Sequence, residues 1–565
     1  MLFLNKPKRR LRAIGARSRR RALGMVLIAL CACSAAVFAD PPETRFSARA
    51  LEAIANKPND QVKLIVTYHN PPGLGDEDKV RGKGGKVKKK FKSIRGHAIK
   101  VPAHAAAKLL EDNSNIARIS LDEPVAIQST TSLPSPVGHA YPELFNLSYS
   151  GAGVGVAVID SGVKDHPDFK PDIKVSFLDK TDDKYGHGNH VAGIIAGDGD
   201  HSEGPYRGVA PDAFVVNLRV LDDQGVGFTS DVIAAMDWVL ENKDQYNIRV
   251  ANLSLGHPVV EAAADDPLVQ AVEAVWDAGV VVVCSAGNGG RDGYGTITSP
   301  GNSRKVITVG SMTSWGDEDA ANDIVSTYSA RGPTRIDRFV KPDLLAPGNR
   351  VISLKAKGAY LVEIEPERLI EAPGKATAEY FQLSGTSMAA AVVSGTVALI
   401  LEQDPSLNPA TVKARLMRSA AKVDFPDVFA TGAGLLDVTA ALSETGTAFQ
   451  ALSPKVVRDE ASVTMGFEGT SLLWGGEEWG LGYLWSDGYL WSDGYLWSDG
   501  YLWSDGYLWS DGYLWSDGYL WSDGYLWSDG YLWSDGYLWS DGYLWSDGYL
   551  WSDDATTSDS ALVDD

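Results

Sequence analysis

Between residues 140 and 446, short runs rich in Val, Ile and Ala recur, apolar at odd and even positions alike, with amphipathic stretches between them. Val154 to Ile159, Ala213 to Val220, Val250 to Leu253 and Val280 to Val283 are such runs; Asp231 to Leu240 and Pro267 to Ala278 carry helical spacing. A strand that is apolar on both faces has to be covered on both faces, and a chain that returns through a helix lays its next strand parallel to the last. The pattern predicts an α/β unit, a parallel sheet with helices on both faces. Its reacting groups are expected at the carboxyl ends of the strands.

The remainder of the 565 residues is organised differently. Residues 1–24 hold nine Lys or Arg and no acid, and an apolar run of 14 follows at 25–38. That run is too short to span a bilayer and has the form of a signal-peptide core. Residues 1–39 are therefore expected to be an export signal cut after Ala39, and the protein to be secreted. Ser18-Arg19-Arg20 offers a twin-arginine route instead, and Leu30-Cys31-Ala32-Cys33 a lipid anchor through Cys33.

Residues 40–132 form a second unit. Lys63 to Tyr68, Ala98 to Val101 and Ile116 to Ile119 have strand character and Ala103 to Leu110 helical character, which predicts a small α+β fold. Residues 40–130 hold 16 basic and 11 acidic side chains, while residues 131–565 hold 27 and 62, so the two pieces are electrostatically complementary. The segment RGKGGKVKKKFKSIR at 81–95 carries most of the basic excess; taken alone it has the form of a solvated loop or polyanion patch. The chain's net charge of −21 lacks the basic footprint that a nucleic-acid binder needs. The three Cys, at 31, 33 and 284, supply no disulfide framework, and Cys284 behind four Val is expected to be a buried apolar residue.

After a linker at 447–481, the hexapeptide GYLWSD repeats twelve times from Gly482 to Asp553, before an acidic tail at 554–565. Asp-Gly between β-prone stretches favours a type I′ hairpin turn, so a meander or a hexapeptide solenoid could result. Its Asp side chains have no Lys or Arg among them, and nothing in it pairs a nucleophile with a base. The repeat is assigned to contact with cell surfaces or polymers, or to secretion.

Chemistry concentrates at four places. Asp160 ends a predicted strand; His187 is crowded by Gly186 and Gly188 ahead of an apolar helix; Ser387 opens another apolar helix, near the positive end of its dipole; Asn288 follows the Val280 to Val283 run. Attack by Ser on a carbonyl needs a base for its proton and a carboxylate to orient that base. An amide donor can hold the oxyanion.

The segments that carry these residues resemble the subtilisin-like serine proteases: VAVIDSGV at 156–163, HGNHVAGIIAG at 187–197, NLSLG at 252–256, SAGN at 285–288 and GTSMA at 385–389, with YSARGP at 328–333 and KPDLLAPG at 341–348. The resemblance implies a serine endopeptidase acting through an acyl-enzyme, with Asp160, His187 and Ser387 as triad and Asn288 as oxyanion donor. His190 matches a structural histidine. Gly225-Val226-Gly227 and Ser254-Leu255-Gly256 match the two edges that pair with a bound peptide, and Thr298 matches the floor of a specificity pocket. Thr298 is uncharged, so broad preference for apolar P1 residues is expected. The basic unit resembles an inhibitory propeptide, removed by self-cleavage between about Asp122 and Ser135. No cofactor is required for catalysis. A structural calcium is left unassigned, because Asp168 matches a ligand of some members while 198–206 lacks the loop that completes their site.

The chain departs from the family at Ala390, Ala391 and Val392, where Ser or Thr then Pro-His usually follow GTSMA, and at Asn189, usually Thr. The loss of Pro restores an amide donor and is expected to loosen the start of the helix behind Ser387. Residues 354–380 look longer than the usual connection and are expected to form a flap near the site. The competing expectation is a binding scaffold that keeps the fold without turnover.

Overall fold

The computed structural model describes residues 45–56, 60–127, 148–171, 173–314, 323–421 and 427–458, with short strands beyond. Residues 1–44, where the export signal is expected, the Gln128 to Ser132 region and most of the repeat lie outside the described residues.

The first unit runs α1 (Ala48–Asn56), β1 (Gln61–Tyr68), α2 (Leu74–Gly82), β2 (Lys86–Lys90), β3 (Gly96–Pro102), α3 (Ala103–Asp112), β4 (Ile116–Leu121) and β5 (Pro124–Ala126). Its antiparallel sheet has the order β2-β3-β1-β4. Side chains alternate along a strand, and β1 uses both faces. Val62, Leu64 and Val66 pack in the unit's own core with Leu109, Ile116 and Ile119. Ile65 joins Phe91, Ile94 and Ala98 in the core of the second unit.

That second unit contains β6 (Gly155–Asp160), β7 (Ile173–Ser176), α4 (His187–Ala196), β8 (Phe214–Arg219), β9 (Val226–Phe228), α5 (Thr229–Asn242), β10 (Ile248–Leu253), β11 (His257–Pro258), α6 (Pro267–Asp277) and β12 (Val281–Ser285). It continues with β13 (Thr298–Ser299), β14 (Ile307–Thr313), β15 (Ile324–Val325), β16 (Leu344–Pro347), β17 (Val351–Leu354), α7 (Tyr360–Ile364), β18 (Leu369–Glu371), β19 (Ala378–Leu383), α8 (Thr386–Gln403) and α9 (Pro409–Ser419). Strands β7, β8, β6, β10, β12 and β14 lie parallel in that order, with β16 parallel and β15 antiparallel against β14. The chain moves from β6 out to β7 at the edge, comes back to β8 beside β6, then crosses to β10 on the other side of β6. A crevice opens where strand order reverses in this way, at the carboxyl ends. Asp160 and Ser254 stand there.

Among the described residues, only α8 is long and apolar enough to cross a membrane, and Thr386 through Leu401 are all buried. It is the core helix. The expected loosening at its start does not occur: it runs unbroken from Thr386 past Ala390, Ala391 and Val392. Cys284 is fully buried in β12, and burial pushes its thiol up to about 12.

The basic stretch is not a free loop. Lys86–Lys90 is strand β2, Lys89 pairs with Asp231, Lys92 pairs with Glu241, and the main-chain N–H groups of Lys92 and Ser93 donate to Asp237 at 3.0 and 2.5 Å. All three acceptors lie on α5, so part of the charge is spent on docking, while Arg81, Lys83 and Lys90 pair with acids of the first unit itself. The second unit also extends past 446: Ala448, Ala451, Ser453 and Val456 are buried. In the repeat, Tyr501–Leu502, Tyr519–Leu520 and Tyr537–Leu538 pair in parallel, 18 residues or three copies apart. A hairpin meander would pair antiparallel; these three short strands do not.

Candidate active site

Asp160 and His187, both buried, meet at the mouth of the crevice. His187 Nδ1 lies 2.9 and 3.0 Å from the two Asp160 oxygens, so Nδ1 carries the proton to the carboxylate and Nε2 is left as the acceptor. Asp160 also accepts from the Ser161 N–H at 2.7 Å. Asp183 gathers the donors around the start of helix α4: Tyr185 N at 3.0 Å and Gly186 N at 2.7 Å before it, Asn189 N in its first turn at 2.9 Å, and Ser161 Oγ from the end of β6 at 3.0 Å. Burial, with a contribution from nearby Asp160, raises the Asp183 carboxyl to about 6. The glycine crowding has a steric cause at Gly188, where a Cβ would come within 2.0 Å of the Gly162 carbonyl.

Ser387 is the second residue of α8, and its Oγ donates to Ser254 O at 3.1 Å. Ser254 Oγ donates back to Ser387 O at 3.0 Å and to Asn252 Oδ1 at 3.0 Å, while Asn252 Nδ2 reaches Ser394 Oγ at 2.9 Å. These bonds clamp the end of β10 to α8, which packs against α4. Among the described residues Ser387 Oγ makes no hydrogen bond to His187; catalytic hydrogen bonds are often long before substrate binds and tighten in substrate complexes. Asn288 Oδ1 accepts from Thr386 N at 3.0 Å and Thr386 Oγ1 at 3.1 Å, which fixes the plane of its amide. Asp183 and Thr386 escaped the sequence reading, since each acts across elements through main-chain bonds.

Two histidine-loop residues have structural roles. His190 Nε2 donates to both Val351 O and Phe381 O at 3.0 Å, and burial pushes its pKa down to about 3, so it is neutral. Asn189 Oδ1 accepts from Lys164 N at 2.7 Å and its Nδ2 donates to Lys164 O at 2.8 Å, a two-way clamp at a position where the family usually has Thr. Asp168 is buried, with one carboxylate oxygen accepting from His201 N and the other from Tyr380 OH. Those oxygens are already used by the chain itself, and no cluster of three or more ligating side chains occurs among the described residues.

The crevice holds a segment of this same chain. β5 pairs antiparallel with β9, Val125 opposite Gly227 and Ala126 opposite Val226. On its other side Ala126 N donates to Gly256 O at 3.1 Å and Gly256 N to Ala126 O at 3.2 Å; Ile127 N donates to Gly225 O at 3.2 Å. Both expected edges are therefore occupied by Pro124 to Ile127, with Val125 fully buried. Leu255 is buried behind one edge, and Gly256 lies against Thr298, where a Cβ would come within 3.0 Å of Oγ1. Thr298 Oγ1 itself donates to Ala286 O at 3.3 Å.

Similarity to known proteins points the same way. Residues 151–446 match the model of the subtilase family. Serine protease AprX of Bacillus subtilis is 37% identical over 365 residues, 62% of this chain and 80% of that protein. Subtilisin E of the same organism is 32% identical over 398 residues, 68% of this chain and 92% of that protein. The crystal structure of fervidolysin from Fervidobacterium pennivorans, described as a keratinolytic enzyme related to subtilisin, superposes with a TM-score of 0.55 at 22% identity, covering 72% of this chain and 65% of that one. Crevice, motifs and relatives together establish that this chain is a serine endopeptidase of the subtilase family.

Proposed function

We propose that this endopeptidase is made as a secreted zymogen which cuts itself, and that Asp160, His187, Ser387 and Asn288 perform the chemistry. The observation that carries the proposal is the seating of Pro124 to Ile127 as a strand between two edges that lead to Ser387. A substrate added in this way is gripped through its main chain, so many sequences are accepted. Ser387 Oγ attacks the scissile carbonyl and its proton passes to His187 Nε2. Asp160 stabilises the imidazolium, and the Asn288 amide with the N-terminus of α8 stabilises the oxyanion. His187 then protonates the leaving amine. Water, deprotonated by the same ring, hydrolyses the acyl-enzyme and frees Ser387.

The register supports a cut just beyond Ile127. An antiparallel pair advances one residue per step; Ala126 faces Gly256, so two steps on reach Ser254, whose carbonyl accepts the Ser387 hydroxyl. The proposed scissile bond is Gln128–Ser129. The uncharged Thr298 beside Gly256 supports a broad apolar P1 preference for other substrates. Secretion rests on the basic and apolar segments of residues 1–39.

A fluorogenic peptide assay on the processed protein tests the catalytic roles. Ser387→Ala should lose about 10⁴-fold or more in turnover, and Asn288→Ala about 10² to 10³-fold, the loss known for an oxyanion-hole amide in a family relative. Equal rates in wild type and Ser387→Ala would remove the proposal.

A further inference from the structure

Residues 355–379 leave the sheet between β17 and β19 and come back against the loop that delivers His187. Tyr360 N donates to Lys184 O at 2.8 Å and Leu361 N to Tyr185 O at 3.0 Å. The Ala359 Cβ lies 3.1 Å from where a Cβ on Gly186 would stand. The excursion is thus pinned directly ahead of the catalytic histidine. Its one outward aromatic, Tyr360, stacks on Tyr185 with ring centroids 6.1 Å apart and planes 20° from parallel. Tyr185 is in turn pressed onto the substrate edge: a Cβ at Gly225 would come within 2.8 Å of its ring. Gly225 is the residue whose carbonyl accepts from Ile127 N. Tyr185 is buried by this packing, whereas Tyr360 remains 42% exposed.

We infer that Tyr185 and Tyr360 form an aromatic wall beside the substrate position held here by Ile127, and that Tyr360 is a specificity-determining residue selecting a bulky apolar side chain there. The inference rests on the proposed register, in which Ile127 is the second residue before the scissile bond. Stacked rings present a rigid apolar surface at little entropic cost. A branched aliphatic side chain covers that surface and excludes water; Gly at the same position leaves it wet. The excursion supplies the outer half of the wall, so its effect falls on substrate choice and not on proton transfer.

The test uses two peptides, identical except for Ile or Gly at that position, with the mature enzyme and its Tyr360→Ala and Tyr360→Phe variants. Wild type should favour Ile by about tenfold in kcat/KM, the discrimination one apolar contact supplies. Tyr360→Ala should reduce that preference to about threefold or less while the rate on the Gly peptide stays within about twofold. Tyr360→Phe should keep the wild-type preference. An unchanged ratio in Tyr360→Ala would overturn the inference. So would an equal fall on both peptides, which would mean that Tyr360 merely steadies the His187 loop. Sequencing the mature N-terminus separates the two layers: a start other than Ser129 refutes the register and the wall with it, whereas a start at Ser129 with an unmoved ratio refutes the wall alone.

Discussion

Asp183 accepts four hydrogen bonds in the loop between Asp160 and His187, three of them from main-chain N–H groups. Removing the acceptor leaves those buried donors unmatched, at about 1–3 kcal/mol each. Asp183→Ala should therefore lower the melting temperature and reduce kcat; an unchanged melting temperature and kcat would contradict this. His190 gives a pH signature. Its ordinary pKa of 6.5 falls to about 3 in the fold, so below pH 6.5 the unfolded chain takes up a proton that the folded chain refuses. Stability present above pH 6.5 is lost as pH falls, by about 2 kcal/mol at pH 5. His190→Gln should flatten that part of the stability profile in chemical denaturation. Asp160, His187, Ser387 and Asn288 were legible because each sits in a short glycine-rich or helix-opening motif of its own. Asp183, Thr386 and Tyr360 were not, because their effect exists only once distant segments meet.

Helix α5 is the element on which the first unit docks. It receives Lys89, Lys92 and the N–H groups of residues 92 and 93, and Asp122 accepts from Ser230 N and Oγ at 2.9 Å each, capping its first turn. Next to it, Glu261 accepts from Arg118 at 2.7 Å and Ser120 at 3.0 Å. Burial is the largest influence on Glu261 and raises it to about 7, against the pull of Arg118. Asp237→Ala removes two main-chain bonds from this interface. The cut unit should leave sooner, seen as a shorter lag before activity in freshly processed enzyme; an unaltered lag would argue that docking depends on the cleft segment alone. Strands β1, β3, β4, β6, β8, β10 and β12 were legible as apolar runs, whereas β2, β7, β14, β15 and β16 were not. The Lys-rich sequence of β2 has the look of a solvated segment, and pairing with β3, from Lys86 opposite Lys100 to Lys90 opposite His97, makes a strand of it.

For the whole molecule, the packing continues past residue 446, where the family match ends. Ser453 Oγ donates to Asp343 Oδ1 at 2.6 Å and accepts from Lys413 Nζ at 2.9 Å, within a fully buried set in which Lys341 also pairs with Asp343 at 2.7 Å. The polar composition after Ala441 hid this, since a buried ionic network has no periodicity. A chain ending after Arg458 should keep full small-peptide turnover without the repeat, while one ending after Gln450 should melt at a lower temperature, losing about 1–3 kcal/mol with the Ser453 contacts. Equal melting temperatures would place those contacts outside the stabilising core. The central claim, that the crevice holds this chain's own cleavage segment, is tested most directly by intact mass and N-terminal sequencing of wild type and Ser387→Ala purified side by side. The account predicts a wild-type chain that begins at Ser129 and a Ser387→Ala chain that still carries the first unit uncut. Normal trimming of Ser387→Ala in the absence of other proteases would contradict it.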